Sequence, residues 1–159
     1  MSPTPAYWFT VFNEETWKQF SVLQDKVAAF PISREKAAHR LKPADILLCY
    51  VSGWSRFVGI GSATGTCRTA RRPVFGGFPL EVPAKVSIQL ALEFGVPIHG
   101  LLERLSFNQQ NPNGWRYYVR QSPNQWPDVD AELIINELNR ATAHPVRRAR
   151  PAGVKRIPA

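Results

Sequence analysis

The residues that could do covalent or metal chemistry are isolated from one another in this sequence. His39, His99 and His144 lie far apart and far from both cysteines, which argues against a metal site. Cys49 lies in an apolar run and Cys67 in a polar segment, and neither belongs to a CxxC pair. We therefore predict two free thiols, no metal and no other cofactor.

The glycine-rich stretch at 59–65 does not predict a nucleotide cofactor site. Its spacing is GxGxxxG, and no helical pattern follows it, whereas a dinucleotide loop needs GxGxxG before a helix. The chain also lacks a Walker phosphate loop and a GxSxG turn. A catalytic triad assembled from distant positions stays open as an alternative. We predict a binding protein rather than an enzyme.

Aromatic residues point more directly to a ligand. The chain has five tryptophans in 159 residues, and Trp8, Trp17 and Trp115 fall in regular patterns typical of core positions. Trp54 instead occupies a Ser-Gly-Trp-Ser turn, where a flat ring can stack on a nucleobase for about 1–3 kcal/mol. Trp126 lies in a proline-bounded loop, where it either contacts a partner or covers the last helix.

A base that stacks on an aromatic ring must be identified by hydrogen bonds to its edge. Asn13, Ser33 and Ser52 carry amide and hydroxyl groups that match a base edge. Their alternative roles are those of a helix cap and turn formers.

The positive charge is concentrated at the C-terminal end. The net charge is +8, and residues 140–159 carry +6 of it without a single acid. We predict a folded domain at 1–140 and a basic, disordered tail at 141–159 that adds non-specific affinity for phosphates. A loop containing Arg68, Arg71 and Arg72 is a second candidate phosphate contact, with a merely solvated loop as the alternative.

Periodicity predicts the elements that would position these residues. Strands are predicted at 7–12, 46–51, 56–62, 82–94 and 115–119. Helices are predicted after Asn13, at 97–105 and after Pro127, while 24–36 is read as a connection and 63–80 as an exposed loop. This mixture predicts an α+β domain built on a curled, mainly antiparallel sheet. We find no signal peptide and no apolar run long enough to span a membrane, so a cytoplasmic location is expected.

Three segments together resemble the EVE domain family of the PUA-like superfamily, which is related to YTH readers of methylated adenine. They are Tyr-Trp-Phe-Thr-Val at 7–11 with Asn13 and Trp17, Leu-Lys-Pro-Ala-Asp-Ile-Leu-Leu-Cys-Tyr-Val at 41–51 continuing through 57–60, and Leu-Ser-Phe at 105–107 with Trp115 and 118–120. The resemblance spans residues 6–138. It implies a small β-barrel flanked by helices, and a pocket for a modified base, cytosine or adenine in DNA, flipped out of the duplex.

The resemblance also implies which residues form the pocket. By position these are Asn13, Phe30, Ser33, Tyr50, Ser52, Trp54 and Phe107. Where YTH readers place a tryptophan before the second strand, this chain has Phe-Pro-Ile-Ser at 30–33. A cage without that tryptophan is looser, or is tuned to another base.

Three alternative functions remain open at this point. The chain could bind tRNA or rRNA, act as a small enzyme on a nucleotide or nucleobase, or serve as a protein adaptor through Trp54 and Trp126. A lone reader domain further implies a separately encoded effector, such as a nuclease or a modification enzyme.

Overall fold

The structure, a computed structural model, describes residues 4–71, 77–110 and 114–151. Within them, eight strands form one sheet: β1 (Tyr7–Phe12), β2 (Val27–Phe30), β3 (Ile46–Val51), β4 (Arg56–Ala63), β5 (Arg68–Thr69), β6 (Leu80–Gln89), β7 (Val96–Pro97) and β8 (Asn124–Trp126). The order across the sheet is β2-β6-β4-β3-β1-β8, with β5 paired to β6 and β7 to β4. Only β1 and β3 run parallel among these pairs. The sheet curls into a half-barrel, so the predicted α+β class and curled sheet are confirmed.

Short helices flank this sheet. They are α1 (Glu14–Val22), α2 (Glu35–His39), α3 (Ser106–Gln110), α4 (Trp115–Tyr118) and α5 (Asp128–Ala143), with 3₁₀ turns at Ile32–Arg34, Leu92–Phe94, Ile98–Gly100 and Leu102–Arg104. In α5, Ala131, Ile134 and Leu138 are buried against the sheet, as their spacing predicts. Among the described residues, no helix combines the length and the apolar character that crossing a membrane requires.

Asp45, in the turn before β3, holds the parallel strands β1 and β3 together. Its buried carboxylate accepts hydrogen bonds from the Ala6 amide, the Trp8 indole and the Lys42 amide, each at 3.0 Å. These donors replace the water that the carboxylate loses on burial. Two of these donors lie at the start of β1 and the third lies in the Lys-Pro-Ala-Asp turn. The turn therefore joins the start of β1 to the start of β3.

The predicted strand at 115–119 is wrong, because this segment forms α4. Its aromatic residues favour a strand locally, but they pack at helical spacing. The Tyr118 ring stacks on Phe107 with centroids 4.3 Å apart, and Trp115 meets His99 edge to face at 5.3 Å. Tertiary packing therefore overrides β propensity here.

The predicted helix at 97–105 is also wrong. β7 ends at Pro97, and two 3₁₀ turns follow it. Ile98, Leu101 and Leu105 are buried as expected. A 3₁₀ helix repeats every three residues, so short 3₁₀ segments bury residues at this spacing as well as an α-helix does.

Three other boundaries differ from the prediction. The long alternating strand ends at Gln89, and its last residues form the turn at Leu92–Phe94. The stretch at 24–36 contains β2, whose small Ala-Ala centre gives no alternation signal. The loop at 63–80 contains β5 and a buried Cys67.

Residues 141–151, predicted as part of a disordered tail, have a defined position on the domain in the structure. α5 continues to Ala143, and the Arg148 amide then donates to the Glu93 carbonyl at 2.7 Å. Arg56 also donates to carbonyls of Arg148 and Ala149. Packing on the domain therefore orders a segment whose composition alone favours disorder. The rest of the predicted tail, 152–159, lies outside the described residues.

Candidate functional site

A cleft lies between the free edges of β1 and β2. β8 pairs only with residues Tyr7 to Phe9 of β1, so the last three residues of β1 lie beyond that pairing. Within the described residues, β2 pairs with β6 alone. The two edges that would meet if the half-barrel closed therefore stay apart, and residues of both line one cleft.

The main chain of Val11 points into this cleft. At the end of β1, the Phe12 carbonyl faces β3 and accepts from the Ser52 amide at 2.8 Å. Main-chain groups of successive strand residues point to opposite sides, so Val11 faces away from β3. Its amide donates to the Ser122 hydroxyl oxygen at 3.1 Å. Its carbonyl points to the same side and borders the open space.

Ala29 points into the cleft from β2. The Ala84 amide donates to the Lys26 carbonyl at 2.9 Å, which marks that pair as a hydrogen-bonded pair of the β2–β6 ladder. Such pairs alternate with non-bonded pairs in an antiparallel ladder, so Val27 and Ala29 direct their main-chain groups away from β6. Pro83 lies opposite Val27, where the ladder needs no amide hydrogen.

Two phenylalanines line the space between these edges. Phe30 is 1% exposed and packs into the core, whereas Phe78 is 38% exposed. The inner cleft has a volume of about 10 Å³, which is room for a single water molecule. It adjoins an outer groove of about 410 Å³ that shares Val11, Ala29, Phe78 and Ser122 with it.

Two arginines make the outer groove cationic. The Arg34 guanidinium donates to the Pro123 carbonyl at 2.6 Å, and its buried Nε has no hydrogen-bond partner in the part of the chain that the structure describes. Arg120 is exposed on the opposite rim and also lines the groove. The described residues that line the cleft and the groove include no carboxylate, imidazole or thiol. Guanidinium groups beside phenylalanine rings suit the binding of an anionic, aromatic ligand.

The structure brings two of the seven predicted pocket residues to this site. Phe30 lines the cleft and Ser33 lines the groove. Asn13 instead caps α1: its side chain accepts from the Thr16 amide at 2.7 Å, and its amide donates to the Thr16 hydroxyl at 2.9 Å. Its helix-cap role is thus confirmed, and it is absent from the described lining of the cleft.

Three more of the predicted pocket residues do not line the cleft or the groove. Tyr50 is buried between Phe9 and Phe57, with ring centroids 5.3 and 5.1 Å away. The Ser52 hydroxyl donates to the Phe12 carbonyl at 3.3 Å and so holds the end of β1. Phe107 is buried under Tyr118. These side chains support the sheet ends around the cleft without lining it.

Trp54, which is predicted to stack on a base, is covered in the structure. Its side chain is only 6% exposed, in a cluster with Phe12 and Trp17. The guanidinium carbons of Arg56 and Arg150 lie 5.0 and 5.8 Å from its ring centroid. The ring surface that a base would need is therefore occupied by cations of the same chain.

The predicted phosphate-binding arginines line a different groove. The Arg68 Nε donates at 2.8 Å to Glu81, whose carboxylate is buried and also accepts from the Arg71 amide at 3.1 Å. Arg68 and Arg71 border a polar groove of about 350 Å³ between β6 and the segment after α1. Arg72 lies outside the described residues.

Sequence reasoning missed most of the residues that form the cleft. Thr10, Val11, Ala29 and Ser122 act through main-chain position or a single hydroxyl, and no motif marks them. Phe78 did carry a signal, because an aromatic residue between glycine and proline in a loop gains little from folding. Among the described residues, no group of three or more histidine, cysteine or carboxylate side chains could hold a metal ion.

The fold is that of YTH domains, which establishes the architecture of the chain. No protein-family model matches the sequence, and no curated protein matches it. The similarity is to solved structures and is low in sequence, so it defines the fold alone.

Three of these structures illustrate the similarity. The YTH domain of a Zygosaccharomyces rouxii protein, in complex with N6-methyladenosine RNA, is 12% identical with a TM-score of 0.60, covering 84% of this chain and 86% of that one. The YTH domain of Mmi1, in complex with RNA, is 10% identical with a TM-score of 0.64, covering 92% and 85%. A protein from Agrobacterium tumefaciens is 10% identical with a TM-score of 0.61, covering 91% and 99%.

Proposed function

We propose that this protein is a non-catalytic reader that takes one modified base of a nucleic acid into the cleft between β1 and β2. One observation carries this proposal: the main-chain groups of Val11 and Ala29 point into a single narrow cleft with aromatic walls. A base is flat, apolar on its faces and polar on its edge. The phenylalanines suit the faces, and the peptide groups suit the edge.

A cleft of this kind favours a base that carries a small apolar modification. Phe30, Phe78 and Ala28 offer apolar surface beside the peptide groups of Ala29. A methyl group gains about 0.8 kcal/mol when it is fully buried on such a surface. An unmodified base makes the same edge contacts without this gain. The modification therefore adds to an affinity that the cleft already provides.

Entry of the base requires a movement of the outer wall. The inner cleft holds about one water molecule, which is too little for an aromatic ring. Phe78 borders both the cleft and the groove and is 38% exposed, whereas Phe30 is fixed in the core. We therefore assign the movement to Phe78. Base extrusion costs a few kcal/mol in a duplex and less in a single strand, so single-stranded targets bind more tightly.

The nucleic acid would cross the groove between Arg34 and Arg120. Planar guanidinium groups pair well with phosphate oxygens, and both arginines line the groove outside the cleft. Two YTH structures with this fold have bound RNA, one of them RNA containing N6-methyladenosine. That observation supports RNA, the alternative that the sequence leaves open beside the favoured DNA target, so both kinds of strand belong in the test. A reader of this kind acts through a separately encoded effector.

The test is a binding panel of short single-stranded DNA and RNA oligonucleotides that differ in one base. The central base is cytosine, 5-methylcytosine, 5-hydroxymethylcytosine, adenine or N6-methyladenine. Wild-type protein is compared with Phe78→Ala and with a control, Tyr117→Ala, which removes an exposed aromatic ring that does not line the cleft. Affinities are measured by fluorescence anisotropy at physiological salt.

A tenfold or larger preference for one modified base, about 1.4 kcal/mol, supports the proposal if Phe78→Ala abolishes it and Tyr117→Ala retains it. The kind of strand that shows the preference identifies the target. Equal binding of all oligonucleotides by the wild type contradicts the proposal. So does a preference that Phe78→Ala leaves unchanged.

A further inference from the structure

The segment after α5 forms a fixed strap, which we define as residues 144–151. Its main chain is held at Arg148 and Ala149. The Arg148 amide donates to the Glu93 carbonyl at 2.7 Å, and the carbonyls of Arg148 and Ala149 accept from the Arg56 guanidinium. The Arg148 side chain adds a hydrogen bond to the Gly95 carbonyl at 3.3 Å. The basic residues of the strap therefore occupy a definite place on the surface.

The charge beneath the strap is not neutralised. Arg56 is 97% buried, since it is only 3% exposed, and its acceptors are main-chain carbonyls rather than carboxylates. Burial lowers the pKa of Arg56, and the positive charge of Arg148 lowers it further, against an opposite effect of Glu93. Two buried donors, Arg56 Nε and Trp54 Nε1, have no hydrogen-bond partner among the described residues. This corner therefore has an excess of positive charge and of hydrogen-bond donors.

The strap adds further positive charge at its outer surface. Arg147 and Arg150 are both exposed. Arg150 faces one carboxylate, Glu14, at a long 3.8 Å, and Arg147 forms no ion pair with another described residue. An exposed ion pair of this length contributes little, so it leaves Arg150 available to an external anion. Arg147 is available as well.

The strap reaches the same turn of α1 that borders the cleft. Glu14, which faces Arg150, opens α1, and Thr16 of the same turn lines the cleft. Glu14 and Thr16 lie about 3 Å apart along the helix axis but on different faces of α1, so about one helix width, 10–12 Å, separates the strap from the cleft. A strand whose base enters the cleft would cross this first turn of α1 to bring a neighbouring phosphate to the strap.

We propose that the strap is a phosphate-binding edge of the nucleic-acid interface, with Arg147 and Arg150 contacting the backbone of the strand whose base enters the cleft. This inference rests on the proposed function for its ligand. It replaces the non-specific phosphate affinity predicted for a disordered tail with two named residues in a fixed segment. The contact is to the backbone, so it raises affinity without selecting a base.

The experiment compares two double variants of the full chain. Arg147→Gln with Arg150→Gln removes both strap charges. The matched control, Arg104→Gln with Arg140→Gln, removes two other exposed arginines, which both pair with Glu137 of α5. Dissociation constants are measured for unmodified single-stranded DNA and RNA of one sequence at several salt concentrations. The slope of log affinity against log salt reports the number of phosphate contacts.

We expect the strap variant to reduce the magnitude of this slope by about 1.4, since each lost contact to a single strand contributes about 0.7. The control should keep the wild-type slope, and the preference between modified and unmodified bases should be equal in all three proteins. Arg147→Glu alone provides a second variant. The Arg147 side chain makes no hydrogen bond or ion pair with another described residue, and the change should reduce the slope by at least one contact.

An unchanged slope in both strap variants overturns the inference, as does an equal loss in the control. These outcomes are separable from failure of the proposed function. A wild-type protein that binds all bases equally refutes base reading, yet its salt slope still shows whether the strap contacts phosphates. A wild-type protein that prefers one base, with a slope indifferent to the strap, refutes only the strap.

Discussion

The β1–β2 cleft and the Trp54 corner are built in opposite ways. The cleft is formed by main-chain groups of small residues and stays open between two sheet edges. The Trp54 corner contains the most conspicuous aromatic residue of any turn in the sequence, but it is closed by Arg56 and the strap. One region turns main-chain groups of Val11 and Ala29 towards open space, while the other uses its large side chains to hold the fold together.

This difference shows why an aromatic residue is a weak indicator of a binding site by itself. A tryptophan in a turn must be covered by something, because exposing a ring of this size to water is unfavourable. Here the cover comes from the same chain, about 90 residues further along the sequence. An available site is better identified by unpaired strand edges than by the size of a side chain.

The largest expected effect separates the two regions directly. Trp54→Ala should lower the free energy of unfolding by about 3–5 kcal/mol, because it removes a buried ring from a packed cluster. Phe78→Ala should lower it by less than about 1 kcal/mol, because this ring is half-exposed. Urea unfolding measures both values. A larger loss in Phe78→Ala than in Trp54→Ala would refute this comparison.

Removal of the strap should have the next largest effect. A protein that ends at residue 143 leaves Arg56 without two of its three carbonyl acceptors. We expect a loss of about 2 kcal/mol in unfolding free energy, and easier quenching of tryptophan fluorescence by acrylamide as Trp54 is uncovered. A protein that ends at residue 151 is the control and should resemble the full chain. Equal stability of the two shortened proteins would show that the strap does not support this corner.

The closed corner should also make stability depend on pH. Burial raises the pKa of Cys49 to about 12, from 9.0. The unfolded thiol loses its proton at lower pH than the folded one, so this stabilisation is complete below pH 9 and is lost as pH rises towards 12. Each such thiol contributes a slope of at most about 1.4 kcal/mol per pH unit.

Unfolding free energies between pH 8 and pH 11 test this prediction. Wild-type protein should lose stability with rising pH more steeply than Cys49→Ala. Cys67 and Tyr50, whose pKa values burial also raises, contribute to the slope of both proteins. Identical slopes for the two proteins would contradict the assignment to Cys49.

The smallest expected effect concerns the cleft itself. Ser122→Ala removes the hydroxyl that accepts from the Val11 amide, and it should lower the unfolding free energy by about 0.5–1.5 kcal/mol. The freed amide gains a partner when a base enters, so binding should recover part of this loss. Comparing the thermal midpoint with and without the preferred oligonucleotide measures it. If the oligonucleotide raises the thermal midpoint of Ser122→Ala no more than that of the wild type, the Val11 amide does not contact the base.

The sequence predicts the sheet well where burial alone determines the pattern. The alternation along β6 and the apolar run of β3 follow from the faces that they bury, and both strands are found. α4 and β2 could not be predicted, because distant packing decides the first and the second is four residues with an Ala-Ala centre. Among the site residues, Phe30 follows from the family resemblance. Val11 and Ala29 do not follow from any side-chain pattern, since their contribution is the direction of their peptide groups.

The narrowness of the β1–β2 gap has a consequence for association between molecules. Unpaired strand edges are templates on which another polypeptide can add a strand, and proteins protect them to avoid aggregation. A strand added between β1 and β2 would need about 4.8 Å of spacing on each side, whereas the inner cleft between these edges has a volume of only about 10 Å³. Each edge therefore shields the other from a foreign chain. The same gap that would admit a flat ring once Phe78 moves keeps polypeptide out.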